Sequence, residues 1–132
     1  MKFKEIKISV LGLGYVGIVL ANEFSKQYKC IGYDINKQRI KELKKFKDST
    51  KQLKLEELKK TKLKFSYNID DIVDSNVYVI AVPTPIFVNK KPNLNNLISA
   101  SKLISKIIKK NDYIIYESTV YPGTTEENCI PI

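Results

Sequence analysis

Apolar positions along the chain follow two rhythms, short unbroken runs and longer stretches with a repeat of three to four residues. Ile6, Ile8, Val10 and Leu11 make a short run that stops at Gly12, the pattern of a strand buried on both faces. From Val16 to Gln27 the spacing turns helical, with Val16, Val19, Leu20 and Phe24 as the expected inward stripe. Cys30, Ile31 and Tyr33 form a second strand ending at Asp34. Asn36 then offers an N-cap to a helix carrying Ile40, Leu43 and Phe46 on one side.

The stretch from Lys47 to Lys64 is less regular. Asp48-Ser49-Thr50 reads as a turn, Leu53, Leu55 and Leu58 as a short helix, and Lys64-Phe65-Ser66 as a brief third strand. Asn68 to Asp74 resembles a short capped helix. Val77 to Val82 is the clearest strand of all, and Pro83 and Pro85 end it because proline cannot continue a central ladder. Leu97, Ile98, Ser101, Ile104 and Ile108 mark a helix from about Asn95 to Lys110, followed by a strand at Tyr113 to Tyr116. Strands alternating with helices in this way predict an α/β fold of the Rossmann type, a doubly wound, mainly parallel sheet with helices on both faces.

One segment carries the first chemical signal. Gly12-Leu13-Gly14-Tyr15-Val16-Gly17 lies between a strand and a helix, the setting in which such a glycine pattern binds a dinucleotide. Gly12 permits the tight turn, Gly14 lets the backbone approach a pyrophosphate, and Gly17 lets helix and strand pack closely. The N–H groups opening the helix, from Tyr15 and Val16 onward, then face the anion. Asp34 closes the second strand 22 residues after Gly12, where the adenosine ribose belongs. A carboxylate there accepts hydrogen bonds from both ribose hydroxyls and repels a 2′-phosphate, which points to NAD rather than NADP. The competing view, that Asp34 only caps a helix, leaves the glycines without a role beyond packing. Arg39 follows five residues on, either reaching back toward the cofactor's phosphates or standing as an exposed helix cation, and the residues alone do not separate the two.

Composition narrows the class. With 132 residues, 43% hydrophobic and 28% charged, the chain has the length and make-up of one globular domain. It has no histidine and only two cysteines, Cys30 and Cys129, far apart, so no zinc-ligand spacing exists and no metal is expected. Cys30 sits in an apolar run and reads as a buried, inert thiol, compatible with a reducing cytoplasmic setting. Lys2, Lys4 and Lys7 ahead of the apolar run from Ile8 to Ala21 mimic a signal peptide, but three glycines interrupt that run and Glu5 lies in the basic part. A strand, a turn and a helix account for the same residues, and no membrane association is expected.

The net charge of +9 is concentrated, since residues 37–64 hold 12 lysines or arginines against four carboxylates. A basic patch for an anionic partner is one reading. With one arginine and few aromatics in the run, a solvated helical face is the other, and it is preferred because nucleic-acid surfaces favour arginine forks and stacking rings.

Three further segments carry a family signal. They are Val82-Pro83-Thr84-Pro85-Ile86, Lys91-Pro92-Asn93-Leu94 with the later Ala100-Ser101, and the run from Tyr116-Glu117-Ser118-Thr119-Val120-Tyr121-Pro122-Gly123 to Glu127. With the glycine pattern, they resemble the N-terminal NAD-binding domain of the UDP-glucose/GDP-mannose dehydrogenase family. Within it they are most similar to bacterial UDP-N-acetylhexosamine 6-dehydrogenases of surface-polysaccharide synthesis. The resemblance runs from about Lys7 to Ile132. Phe87, Lys47 and Asn93 depart from it, standing where relatives usually have an acid, a glycine and an aspartate.

The resemblance implies oxidation of a sugar C6 alcohol to a carboxylate by two successive hydride transfers to NAD, through a cysteine thioester. It implies that Val82, Pro83, Thr84 and Thr119 line the cofactor and reaction site, with Thr119 helping to hold catalytic water. Turn chemistry alone also explains Ser, Thr, Pro and Gly at these places. It further implies that the catalytic cysteine and lysine, a central dimer-forming helix and a substrate domain all lie outside the matched segment, so that this polypeptide alone is expected to be inactive. A stand-alone NAD-binding sensor or regulatory module is the alternative reading.

Overall fold

The computed structural model describes residues 5–132; Lys2 and Lys4, on which the signal-peptide comparison partly rests, lie outside them. The strands are β1 (Lys7–Leu11), β2 (Lys29–Tyr33), β3 (Lys64–Ser66), β4 (Val77–Ile80) and β5 (Tyr113–Tyr116), and the helices are α1 (Tyr15–Ser25), α2 (Lys37–Lys44), α3 (Leu55–Lys60) and α4 (Asn95–Ser105). A 3-10 turn at Ile69–Ile72 precedes β4, and a π-helical turn at Thr125–Cys129 follows β5. All strand pairs are parallel, in the order β3-β2-β1-β4-β5. The chain therefore builds outward from β1 in one direction, then returns to build outward on its other side. This reversal leaves a crevice at the carboxyl ends of β1 and β4, where ligands of open α/β sheets sit.

Side chains alternate along each strand, so the sheet separates two cores. Ile8, Val10, Cys30 and Val79 pack under α1, α2 and α3 with Ile18, Ala21, Ile40, Leu43 and Leu58. Leu11, Tyr33, Tyr78 and Ile80 face α4 through Leu97, Ala100 and Ile104. Three hydroxyls sit deep on the α4 side and are satisfied there: those of Ser9 and Ser75 form a 2.6 Å pair, and the Tyr78 hydroxyl donates to the Ser75 carbonyl at 3.1 Å. The doubly wound parallel sheet is thus as expected.

Only half of the expected inward stripe of α1 holds: Leu20 and Phe24 pack against the core, whereas Val16 and Val19 do not. Val16 and Val19 are exposed, and the buried residues are Gly17, Ile18, Ala21, Asn22 and Ser25. The helix lies so close to the sheet at Gly17 that its innermost face combines Ile18 with small residues. Asn22 and Ser25 are tolerated there because both are bonded, Asn22 accepting from the Thr61 hydroxyl and Ser25 donating to the Asn22 carbonyl.

Two smaller expectations also shift. Phe46 is no part of α2's buried side but an exposed residue beyond its end, with φ of 61°. The left-handed position that ends the helix therefore falls at Phe46, so Lys47 needs no glycine-like backbone. Helix α4 stops at Ser105, five residues short of the expected end, and Ile108 is exposed. All eleven lysines between 37 and 64 are exposed, whereas Arg39 is buried.

Candidate dinucleotide site

The glycine turn occupies the crevice between β1 and β4. Gly12 adopts φ of +91°, and a Cβ there would meet Ala81 O and the Val82 backbone at 2.9 Å, so only glycine fits. A Cβ on Gly17 would lie 1.7 Å from Gly12 O, which forces α1 and the turn into direct backbone contact. Gly14 differs: a Cβ there meets no protein atom within 4 Å. Its open side is free for a ligand. Helix α1 starts at this point with neither a side-chain cap nor an acidic residue in its first turn, which leaves its leading N–H groups and dipole available to an anion.

Leu13, between the first two glycines, fastens the turn. Its side chain is fully buried, its N–H donates to Asp34 Oδ2 at 2.9 Å, and its carbonyl accepts from Arg39 Nε at 2.8 Å. Asp34 Oδ1 also accepts the Asn36 N–H at 2.9 Å. Each carboxylate oxygen keeps a further lone pair, enough for two ribose hydroxyls. Asp34 does not cap α2; Asn36 does, accepting from the N–H groups of Gln38 and Arg39.

Arg39 is not an exposed helix cation. Its residue exposure is 7%, and its Nη1 pairs with Asp48 Oδ1 at 2.8 Å and donates to Ser49 Oγ at 3.2 Å. Asp48 is itself enclosed, accepting from the Thr50 hydroxyl and from the N–H groups of Thr50, Gln52 and Leu53. Burial works against its charge, but the bonds from Thr50, Leu53 and Arg39 outweigh it and bring its pKa down to about 2.

These groups surround a cleft of about 450 Å³ lined by Gly12, Gly14, Asp34, Arg39, Val82 and Pro83, among others. Of the remaining residues singled out from the sequence, Tyr15 and Val16 stand exposed at the start of α1, and Gly17 is sealed behind the turn. Thr84 and Thr119 lie next to each other beyond Pro83, the Thr84 hydroxyl donating to the Thr119 carbonyl at 2.6 Å. Ser118 Oγ adds a 2.7 Å bond to the Val82 carbonyl, so the loops after β4 and β5 are laced together. Asn36, Ser49, Thr50, Asn96 and Ser99 also line the cleft. Ser49 and Thr50 lie in the turn expected after α2, and Asn96 and Ser99 in α4; local spacing gives no signal for their place in the cleft, to which only the tertiary fold brings them.

Against this geometry, the chain matches, over residues 6–132, the family model described as UDP-glucose/GDP-mannose dehydrogenase family, NAD binding domain. The chain belongs to this family. It is 49% identical over 130 residues to UDP-N-acetyl-D-glucosamine 6-dehydrogenase of Pseudomonas aeruginosa, covering 98% of this chain and 31% of that protein. It is 46% identical over 125 residues to Protein CapL of Staphylococcus aureus, covering 95% and 30%. Among solved structures, the GDP-mannose dehydrogenase ternary complex from P. aeruginosa superposes with a TM-score of 0.87 at 29% identity, over 96% of this chain and 31% of that one. The chain spans about a third of the length of the curated relatives it matches. The cofactor is NAD, as the match to the family's NAD binding domain shows.

Proposed function

We propose that this chain is the NAD-binding portion of a nucleotide-sugar dehydrogenase that oxidises the C6 alcohol of a UDP-N-acetylhexosamine to a uronate for surface polysaccharide. The single observation that carries the dinucleotide half of this reading is the Gly12–Gly17 turn at the sheet's reversal, tied through Leu13 N–H to the Asp34 carboxylate at 2.9 Å. The sugar half rests on the 46–49% identity to UDP-N-acetyl-D-glucosamine 6-dehydrogenase and CapL.

When bound, NAD accepts hydride. In this reading, the open side of Gly14 and the start of α1, at Tyr15 and Val16, hold the pyrophosphate, while Gly17 lets that helix approach. Asp34 accepts from the ribose hydroxyls, and Arg39 completes the wall beside them. Val82 and Pro83 form the floor leading to the nicotinamide end. There Thr84 holds the Thr119 backbone, fixing the direction of the Thr119 side chain, which would position water. Neither cysteine serves as nucleophile in this proposal, since Cys30 in β2 and Cys129 in the π-helical turn are both buried. The substrate domain, the dimer contacts and a cytoplasmic setting belong to the whole enzyme so proposed.

Calorimetry with NAD, combined with NADH absorbance after addition of UDP-N-acetylhexosamines, tests the reading. Binding of NAD without NADH formation by the 132-residue chain is expected. Turnover by this chain alone would refute the division of labour, and absence of NAD binding would refute the site.

A further inference from the structure

We propose that Asp48 is a specificity-determining positioning residue that enforces NAD over NADP by holding and neutralising the Arg39 guanidinium. The inference rests on the NAD site described above and concerns a residue outside the glycine turn. An arginine beside the acidic residue after β2 is the group that receives a 2′-phosphate in NADP-binding relatives of this fold. Here an arginine does line the cleft together with Asp34, Ser49 and Thr50. Its presence alone would favour NADP.

Its bonds say otherwise. Nε is committed to the Leu13 carbonyl at 2.8 Å, Nη1 to Asp48 at 2.8 Å and to Ser49 at 3.2 Å, and Nη2 lies 3.5 Å from the Thr50 hydroxyl. The side chains of Arg39 and Asp48 are 8% and 1% exposed, so solvent screens the pair little. The guanidinium charge is cancelled within the wall, and Asp34 is left as the uncompensated charge facing the ribose. Lys37, the cation that opens α2, sits over the Tyr67 ring at 5.3 Å and does not line the cleft. A 2′-phosphate entering here meets one carboxylate and an arginine already spent.

The test is the ratio of NADP to NAD dissociation constants, measured by calorimetry on the full chain. Asp48→Asn keeps the size of the side chain and removes its charge, and it should move the ratio toward NADP by about tenfold, the value of a freed charge-assisted hydrogen bond. Adding Arg39→Gln to that variant should reverse the gain. If Asp48→Asn weakens both dinucleotides equally, Asp48 is structural only and the proposal is overturned. Should that variant fail to fold, Asp34→Asn decides. With Asp48 intact, it should still leave NADP the weaker ligand, and parity or preference for NADP would show Arg39 to be free and overturn the proposal. A wild-type chain that binds neither dinucleotide would instead remove the NAD site itself.

Discussion

Gly17 faces Gly12 across so short a gap that a single methyl group placed on Gly17 would lie 1.7 Å from the Gly12 carbonyl oxygen. Gly14, three residues earlier, has no protein atom within 4 Å of the same methyl position. The two glycines therefore fail in different ways. Gly17→Ala should destabilise the fold by roughly 2–4 kcal/mol, because the clash is with backbone that has nowhere to go. Gly14→Ala should leave the urea midpoint within about 0.5–1 kcal/mol of wild type while weakening NAD binding by at least about tenfold. Urea melts and calorimetry on both variants check this, and a stable Gly17→Ala protein would contradict the backbone contact.

Asp34 does two things, and its removal should separate them. Asp34→Ala takes away the acceptors of two backbone N–H groups, those of Leu13 and Asn36, as well as the proposed ribose contacts. A stability loss of about 1–2 kcal/mol is expected from the first. NAD affinity should fall by more than that loss explains, and an unchanged dissociation constant would place the ribose elsewhere.

The low pKa of Asp48 makes stability depend on pH in a stated direction. Its folded value of about 2 lies below the 3.8 of an unperturbed aspartate, so the unfolded chain takes up the proton first as pH falls. The associated stability, about 2 kcal/mol, is fully present above pH 4–5 and is lost as the pH drops through about 2. Denaturant melts between pH 6 and 2 should show this loss, and it should be missing from the profile of Asp48→Asn.

Both thiols should be silent in the native protein. Cys30 and Cys129 are buried, and burial pushes the Cys30 thiol up to about 12, which suppresses the thiolate that disulfide reagents attack. A chromogenic disulfide reagent at pH 8 should titrate neither cysteine until guanidinium unfolds the chain. Rapid native labelling of Cys30 would mean that the β2 core opens readily.

Much of this molecule was legible from its residues. The strands follow from short runs such as Val77 to Val82, and the glycine turn and Asp34, singled out by their spacing, come together at one cleft. What periodicity misread was the first half of α1's stripe, because a hydrophobic stripe assumes that every large apolar group faces inward. Here the close approach at Gly17 reserves the inner face for Gly17, Ile18 and Ala21 and leaves Val16 and Val19 outside. Arg39 was undecidable for a different reason. Its partner Asp48 belongs to a turn nine residues on, and local spacing does not encode the fold-back that joins them.

The peptide of Leu13 carries Asp34 on one side and Arg39 on the other, and its side chain is rooted in the core. The cradle proposed for the adenosine end is therefore a single cross-braced piece whose loss of freedom accompanies folding. A nucleotide arriving there has little loop to tame, so encounter with this end should leave the backbone almost where it stood.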